Sequence, residues 1–183
     1  MFIFDRRVFA LLSAFLLTAC ATADSVSVPL GKGPGLGERA TATEIALADI
    51  SIPPSGEGLP PGGGDARAGV KVYVAKCQAC HGEKGAGKPA DALVGGIGSL
   101  SSASPVRTVG SYWPYATTLF DYTRRAMPTT APRSLTSDEV YAVTAYILYL
   151  NGIIGETHAL NASTLPAVRM PNRDGFIDHS RIR

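Results

Sequence analysis

The stretch Cys77-Gln78-Ala79-Cys80-His81 decides the fold of this chain. Two thiols at this spacing, followed at once by an imidazole, form the pattern that attaches c-type haem. The thiols can bond the two vinyl groups of one haem, and the ring of His81 can ligate the iron from one face. We therefore predict one covalent haem c. The rest of the chain then has to cover an apolar macrocycle and supply a sixth iron ligand.

Two other uses of this cysteine pair are a redox-active disulfide and a zinc site. Redox proteins form a disulfide at the spacing of Cys77 and Cys80. A structural zinc site needs four ligands, usually with a second Cys or His pair. The only other cysteine in the chain is Cys20, so no second pair exists and no disulfide framework can be built. The cysteine count therefore favours haem attachment.

Length and composition set broad limits on the function. The chain has 183 residues, of which 45% are hydrophobic, and this fits one globular domain with extensions. Its formal net charge is only +2, and no run of like charge occurs. This balance argues against nucleic-acid binding and against a strong electrostatic steering field.

Residues 1–23 have the pattern of an export signal, with two arginines before a short apolar run. The run is too short for a comfortable transmembrane helix. Leu17-Thr18-Ala19-Cys20 is typical of a bacterial lipoprotein signal, in which Cys20 becomes the acylated N-terminus, whereas Ala21-Thr22-Ala23 suits ordinary secretory cleavage. The lipoprotein pattern is favoured because it needs a cysteine at one position and has it. Either route predicts a periplasmic protein, anchored to the membrane if Cys20 is lipidated.

Residues 24–64 are rich in Gly, Pro and Ala, which disfavour a regular helix. Only Thr43-Glu44-Ile45-Ala46-Leu47 suits one short helical turn. We interpret this segment as an extended arm that lies on the domain or on a partner. A flexible tether from a lipid anchor is the alternative interpretation.

Residues 65–155 are predicted to form an all-α domain. The first helix covers residues 65–76, and Gly69 on its apolar stripe allows another helix to approach closely. The second covers residues 115–126 and stops before a Met-Pro pair.

The last helix has the clearest ends. Thr136 and Glu139 form a capping-box pattern, apolar residues repeat at helical spacing from Val140, and Gly152 follows as a stop. Residues 156–183 are expected to be an irregular tail that wraps the domain or a partner. The sequence has no pattern typical of a sheet.

This order of helix, haem motif, loop, helix, Met-Pro turn and last helix resembles the class I cytochromes c. In that family the first and last helices cross at a glycine and an aromatic residue, and Gly69 with Tyr73, and Tyr146, occupy the matching places. The family also places its axial methionine between the haem motif and the last helix. That position favours Met127 over Met170, which we expect to lie beyond the fold core. His158 and His179 are lesser candidates.

A His/Met pair fills both axial positions, so the chemistry that remains is one-electron transfer. Three side chains are candidate hydrogen-bond donors to the haem propionates: Trp113, Tyr112 and Arg107. Arg124 and Arg125 are alternatives. We predict no catalytic residue in this chain.

Several long strings make the resemblance more specific: SIPP at 51–54, GLPPG at 58–62, TVGSYWPYATTLFDY at 108–122, RAMP at 125–128 and MPNRDGF at 170–176. They resemble the cytochrome subunits of bacterial sulfite dehydrogenases. They also resemble the haem domain of the dihaem subunit of sulfur dehydrogenases in thiosulfate-oxidising systems. The similarity covers about residues 30–177. Because only one haem motif occurs, the monohaem sulfite dehydrogenase subunit is favoured.

The resemblance implies a division of labour. A molybdenum-cofactor subunit oxidises sulfite, and the cytochrome accepts the electrons singly and passes them to a downstream cytochrome c or an oxidase. A free periplasmic electron shuttle, or a haem subunit of another dehydrogenase, is the alternative. A haem enzyme or gas sensor with a weak sixth ligand is a third hypothesis.

Overall fold

The computed structural model of the protein describes residues 36–177. The predicted export signal with Cys20, the arm as far as residue 35, and His179 lie outside the described residues. Contacts divide the chain into the units Met1–Thr41 and Ala42–Arg183, and every helix and strand of the described residues lies in the second unit. No helix within residues 36–177 is long and apolar enough to cross a bilayer.

The regular secondary structure of the described residues is almost entirely helical, which confirms the predicted all-α class and the class I cytochrome c fold. The α-helices are α1 (Ala42–Ala48), α2 (Ala66–Lys76), α3 (Gln78–His81), α4 (Val109–Tyr112), α5 (Ala116–Ala126) and α6 (Ser137–Leu150). Short 3-10 helices cover Glu83–Gly85, Ser99–Ser101 and Leu165–Ala167. One small antiparallel sheet, which the sequence did not predict, pairs β1 (Gly63–Gly64) with β2 (Leu160–Asn161).

The helix ends follow the sequence signals. Asp65 caps α2, and its carboxylate accepts a hydrogen bond from the Ala68 amide at 2.9 Å. The Thr136 hydroxyl accepts from the Glu139 amide at 3.2 Å, while the Glu139 carboxylate accepts from the Thr136 amide at 2.8 Å. The predicted capping box of α6 is therefore confirmed, and α5 ends at Ala126, before the Met-Pro pair, as predicted.

Helices α2 and α6 pack against each other at Gly69. A Cβ atom on Gly69 would lie 1.9 Å from the carbonyl oxygen of Ala142 and 2.8 Å from the Tyr146 Cβ. One helical turn away, the rings of Tyr73 and Tyr146 are 5.3 Å apart. The predicted glycine–aromatic crossing is confirmed, and the distances explain why no side chain fits at position 69.

Substitution of Gly69 by alanine should lower the stability of the haem-loaded protein strongly. The new methyl group meets backbone rather than a movable side chain, so the two helices must separate, which should cost about 3 kcal/mol in the free energy of unfolding. Gly155→Ala is the matched control because open space surrounds that position. Urea unfolding of the two variants tests this expectation, and equal midpoints would show that the crossing tolerates a side chain.

The arm from residue 50 onward is bound to the helices. Ile52 is buried in the core, and its amide donates to the Asp121 carboxylate at 2.9 Å. The hydroxyl of Tyr141 donates to the Pro60 carbonyl at 2.9 Å. β1 then pairs with β2, and Gly64 lies against the Ala142 backbone. In this part of the chain the arm is therefore a packed component of the domain.

The tail also enters the core. Leu160, Leu165, Val168 and Met170 are all buried within the main hydrophobic cluster. The expectation that Met170 lies beyond the fold core is therefore wrong, since only 1% of its surface is exposed. The sequence misled here because the tail has no helical period, and its buried residues are spaced irregularly to follow the surface of α5 and α6.

Asp121 on α5 holds the arm through its carboxylate. Burial raises the pKa of Asp121, but the hydrogen bonds from Arg125 and from the Ile52 amide outweigh it, so the net pKa lies below the usual value. The nitrogen Nε of Arg125 donates to Oδ1 at 2.9 Å. The ionised form is thus the one that binds the arm.

Asp121→Asn should destabilise the protein by about 2 kcal/mol at pH 7, because charge-assisted hydrogen bonds are lost. Since the folded pKa is depressed, this stabilisation is complete above the unfolded pKa of about 4. It disappears as the pH falls through the folded value. Wild type and variant should therefore converge in strong acid when unfolding is followed from pH 7 downward. Asp174→Asn, in an exposed pair with Arg169, is the control and should change little.

Candidate haem site

One tight turn carries the three groups of the attachment motif. Cys77 ends α2, its amide donating to the Tyr73 carbonyl at 2.9 Å, and α3 begins immediately after it. The Cys77 carbonyl accepts from the Cys80 amide at 3.1 Å and from the His81 amide at 2.9 Å. Cys77 is half-buried and Cys80 is exposed, and both thiols are free. The local backbone thus presents two thiols and an imidazole together.

The protonation of Cys77 argues against the disulfide alternative. Burial, and to a smaller extent the charge of a neighbouring Cys80 thiolate, raise the pKa of the Cys77 thiol to about 11. Redox-active Cys-X-X-Cys pairs need the opposite shift, because the thiolate is the attacking form. Within residues 36–177, no group of three or more His, Cys, Asp or Glu side chains is arranged to hold a metal ion.

His81 is oriented by a backbone carbonyl. Its Nδ1 lies 2.9 Å from the carbonyl oxygen of Asp91. A carbonyl only accepts hydrogen bonds, so Nδ1 carries a proton, and in the neutral ring this leaves the lone pair on Nε2. A histidine that ligates a metal commonly donates a hydrogen bond from its other ring N–H in this way. Together with the two free thiols, this nitrogen makes a donor set that fits a c-type haem.

Tyr73 holds the chain just after the motif. Its hydroxyl donates to the Gly82 carbonyl at 2.8 Å, and burial raises the pKa of Tyr73 to about 12, so the donor form persists at neutral pH. Gly82 has a φ of +75°, and a Cβ there would lie 2.3 Å from the Gly87 carbonyl. The sequence identified Tyr73 only as a helix-crossing residue. The contact with Gly82 depends on tertiary packing and has no local signal.

The candidate sixth ligands differ in their surroundings. Met127 caps the end of α5, its amide donating to the Thr123 carbonyl at 3.1 Å, and it is half-buried. Met170 lies inside the hydrophobic core. His158 is exposed in the tail. A core thioether is enclosed by other side chains, whereas Met127 lies at a helix end with part of its surface accessible.

The candidate propionate donors fall into two groups. Arg107 lies over the ring of Tyr112, 5.5 Å from its centroid, and both line a cleft of about 330 Å³ with Phe176. Trp113 instead packs edge-on against Tyr122 of α5, with 5.8 Å between ring centroids. The two alternatives already have partners: Arg124 donates to the Ile50 carbonyl of the arm at 3.3 Å, and Arg125 pairs with Asp121 on α5.

Comparisons with known proteins agree with this arrangement. The sequence profile of the family described as cytochrome C oxidase, cbb3-type, subunit III matches residues 64–147. Among solved structures, the chain is similar to one described as the crystal structure of the sulfane dehydrogenase SoxCD from Paracoccus pantotrophus. The identity is 40% and the TM-score is 0.74, covering 81% of this chain and 73% of that chain. No curated protein sequence matches.

The profile match contains the whole attachment turn and the α2–α6 crossing, and the structural match covers a larger share of the chain. This chain therefore belongs to the cytochrome c family, whose members carry covalently bound haem c and transfer electrons.

Proposed function

We propose that this protein is a monohaem cytochrome that accepts single electrons within a periplasmic molybdenum sulfite dehydrogenase. The observation that carries the proposal is the 40% identity to a sulfane dehydrogenase chain over most of both chains. The single attachment motif supports one haem. It therefore favours the monohaem subunit of a sulfite dehydrogenase over the dihaem subunit of a sulfur dehydrogenase. The haem supplies reversible one-electron transfer, and the partner supplies the two-electron oxidation of sulfite.

The roles of the site residues follow from their chemistry. Cys77 and Cys80 hold the haem covalently, and His81 is the first axial ligand through Nε2. Met127 is the second axial ligand. Its position at the end of α5, a helix anchored by the docked arm, supports this role, as does the enclosure of Met170 in the core.

Trp113, Tyr112 and Arg107 are proposed to donate hydrogen bonds to the haem propionates. Arg107 is exposed and has no carboxylate partner among the ion pairs of the described residues, so its guanidinium is available for a propionate. Arg124 and Arg125 are less suitable because both already bind the arm or Asp121.

Partner docking is proposed to involve the surface of the tail. Arg169 and Asp174 pair with each other there, at 78% and 75% side-chain exposure. Arg173 lies over the ring of Tyr115, 4.2 Å from its centroid, and presents a cation without a carboxylate partner among the described ion pairs. We place the complex in the periplasm, with a lipid anchor at Cys20 and a downstream cytochrome c or oxidase as acceptor.

Co-purification tests the function directly. The native protein, isolated from the periplasm of its own source, should carry molybdenum and iron in a fixed ratio, and sulfite should reduce the haem of the isolated complex. Isolation without molybdenum, with no reduction by sulfite in a periplasmic extract, would instead indicate a free electron shuttle.

Arg173→Gln should slow sulfite-driven reduction of the haem, because charge complementarity mainly affects the rate of association. The effect should shrink as ionic strength rises. Lys71→Gln on the exposed side of α2 is the matched control and should leave the rate unchanged. If both variants are reduced at the wild-type rate in low salt, the tail does not take part in docking. A truncation after Gly155 cannot test docking through the tail, since it removes core residues such as Leu160 and Leu165.

A further inference from the structure

Asn151 binds three backbone groups although it lies outside the haem motif. It follows the last residue of α6 and is 8% exposed. Its Nδ2 donates to the Leu93 carbonyl at 3.1 Å and to the Ile147 carbonyl at 2.9 Å, while its Oδ1 accepts from the Gly95 amide at 3.1 Å. Both amide protons and the oxygen are therefore used. The bonds to Leu93 and Gly95 join Asn151 to a loop more than 50 residues away in the sequence. A helix cap at the surface would not need such contacts.

The loop bonded to Asn151 is the loop that orients His81. Asp91, whose carbonyl accepts from His81 Nδ1, precedes Leu93 by two residues. The Leu93 amide donates to the Gly85 carbonyl at 2.9 Å, and the Ala90 amide donates to the Cys80 carbonyl at 2.8 Å. Leu93 is thus held on its amide side by the chain after the motif and on its carbonyl side by Asn151.

Packing leaves the Asn151 amide little freedom. A Cβ on Gly110 of α4 would lie 2.1 Å from Oδ1, so α4 closes one side of the amide. The Gly95 carbonyl accepts from the Thr108 hydroxyl at 2.6 Å, and Thr108 caps α4. The loop, α4 and the end of α6 therefore meet at one side chain.

We infer that Asn151 is a positioning residue for the axial histidine. By fixing the backbone at residues 93–95, its amide holds the Asp91 carbonyl against His81 Nδ1, and so keeps Nε2 as the ligating nitrogen in a constant orientation. This inference rests on the proposed ligation of iron by His81. That ligation is checked separately by the haem ring-current shift of the His81 ring protons in the reduced protein.

The test measures hydrogen exchange of the His81 ring N–H in the reduced, haem-loaded full chain. Asn151→Asp keeps the shape of the side chain but replaces two donor hydrogens with an oxygen that repels the Leu93 and Ile147 carbonyls. We expect the ring proton to exchange about tenfold faster, as for the loss of one hydrogen bond. Asn172→Asp is the matched control. It also removes a hydrogen bond from a side-chain amide to a backbone carbonyl, that of Tyr112, and should leave the exchange rate unchanged.

Equal acceleration in both variants, or none in Asn151→Asp, would overturn the inference. If Asn151→Asp does not fold, the wild-type protein supplies the decisive measurement. Exchange of the His81 ring proton and of the Gly95 amide is then followed at increasing sub-denaturing urea. If the His81 ring proton and the Gly95 amide exchange with the same urea dependence, they share one opening and the role of Asn151 is supported. Two different urea dependences refute it. In either case a missing ring-current shift would show that His81 is not the ligand, which is a separate failure.

Discussion

Replacing both Cys77 and Cys80 with serine should abolish covalent haem attachment. Serine hydroxyls do not form the thioether bonds to the haem vinyl groups, and no other cysteine lies in the described domain. Each single replacement should leave at most one thioether, and most of the holoprotein should be lost. The measurement is retention of haem by the polypeptide after extraction with acidified acetone. The expected change for the double variant is complete loss.

Cys20→Ser is the control for this experiment, because it removes the third cysteine of the chain without touching the turn. It should retain its haem after extraction. Haem that stays covalently bound in the double serine variant would mean that attachment uses another group and that the motif has a different role.

Replacing Met127 with histidine should lower the midpoint potential. A thioether favours ferrous iron, whereas an imidazole favours ferric iron more. Axial ligands set haem potentials over a span of about 0.8 V, and we expect a decrease on the order of 0.2 V for this exchange. The methionine-to-iron charge-transfer band of the oxidised protein should disappear. Spectroelectrochemical titration measures the potential, and the optical spectrum reports the ligand.

Met170→Leu is the appropriate control, because a histidine at that buried position would place a polar ring in the core. A volume-conserving replacement should cost less than about 1.5 kcal/mol and leave the potential and the charge-transfer band unchanged. If the band is lost in Met170→Leu and kept in Met127→His, the tail supplies the ligand.

Local signals in the sequence predicted several parts of this protein. The attachment turn was recognisable because its three functional groups are nearly contiguous, and a single turn of backbone brings them together. The ends of α6 were recognisable because Thr136 and Glu139 bond to each other's amides within one turn. The crossing at Gly69 was predicted from a resemblance, and the distance to Ala142 gives its physical reason.

Other parts had no local signal. Met127 and Met170 both precede proline, so sequence alone cannot distinguish them by chemistry, and burial does: one caps a helix while the other lies in the core. The Asp91 carbonyl that orients His81 is a backbone group, which every residue possesses.

The sequence by itself therefore determined the three longer helices, the attachment turn and the cytochrome class, because each depends on residues within a few positions of one another. Only the tertiary structure decided where the arm and tail pack, and which side chains support the histidine. Ile52 reaches Asp121 across 69 positions and Asn151 reaches Leu93 across 58. Such contacts depend on how α5 and α6 pack in space, and periodicity along the chain carries no information about them.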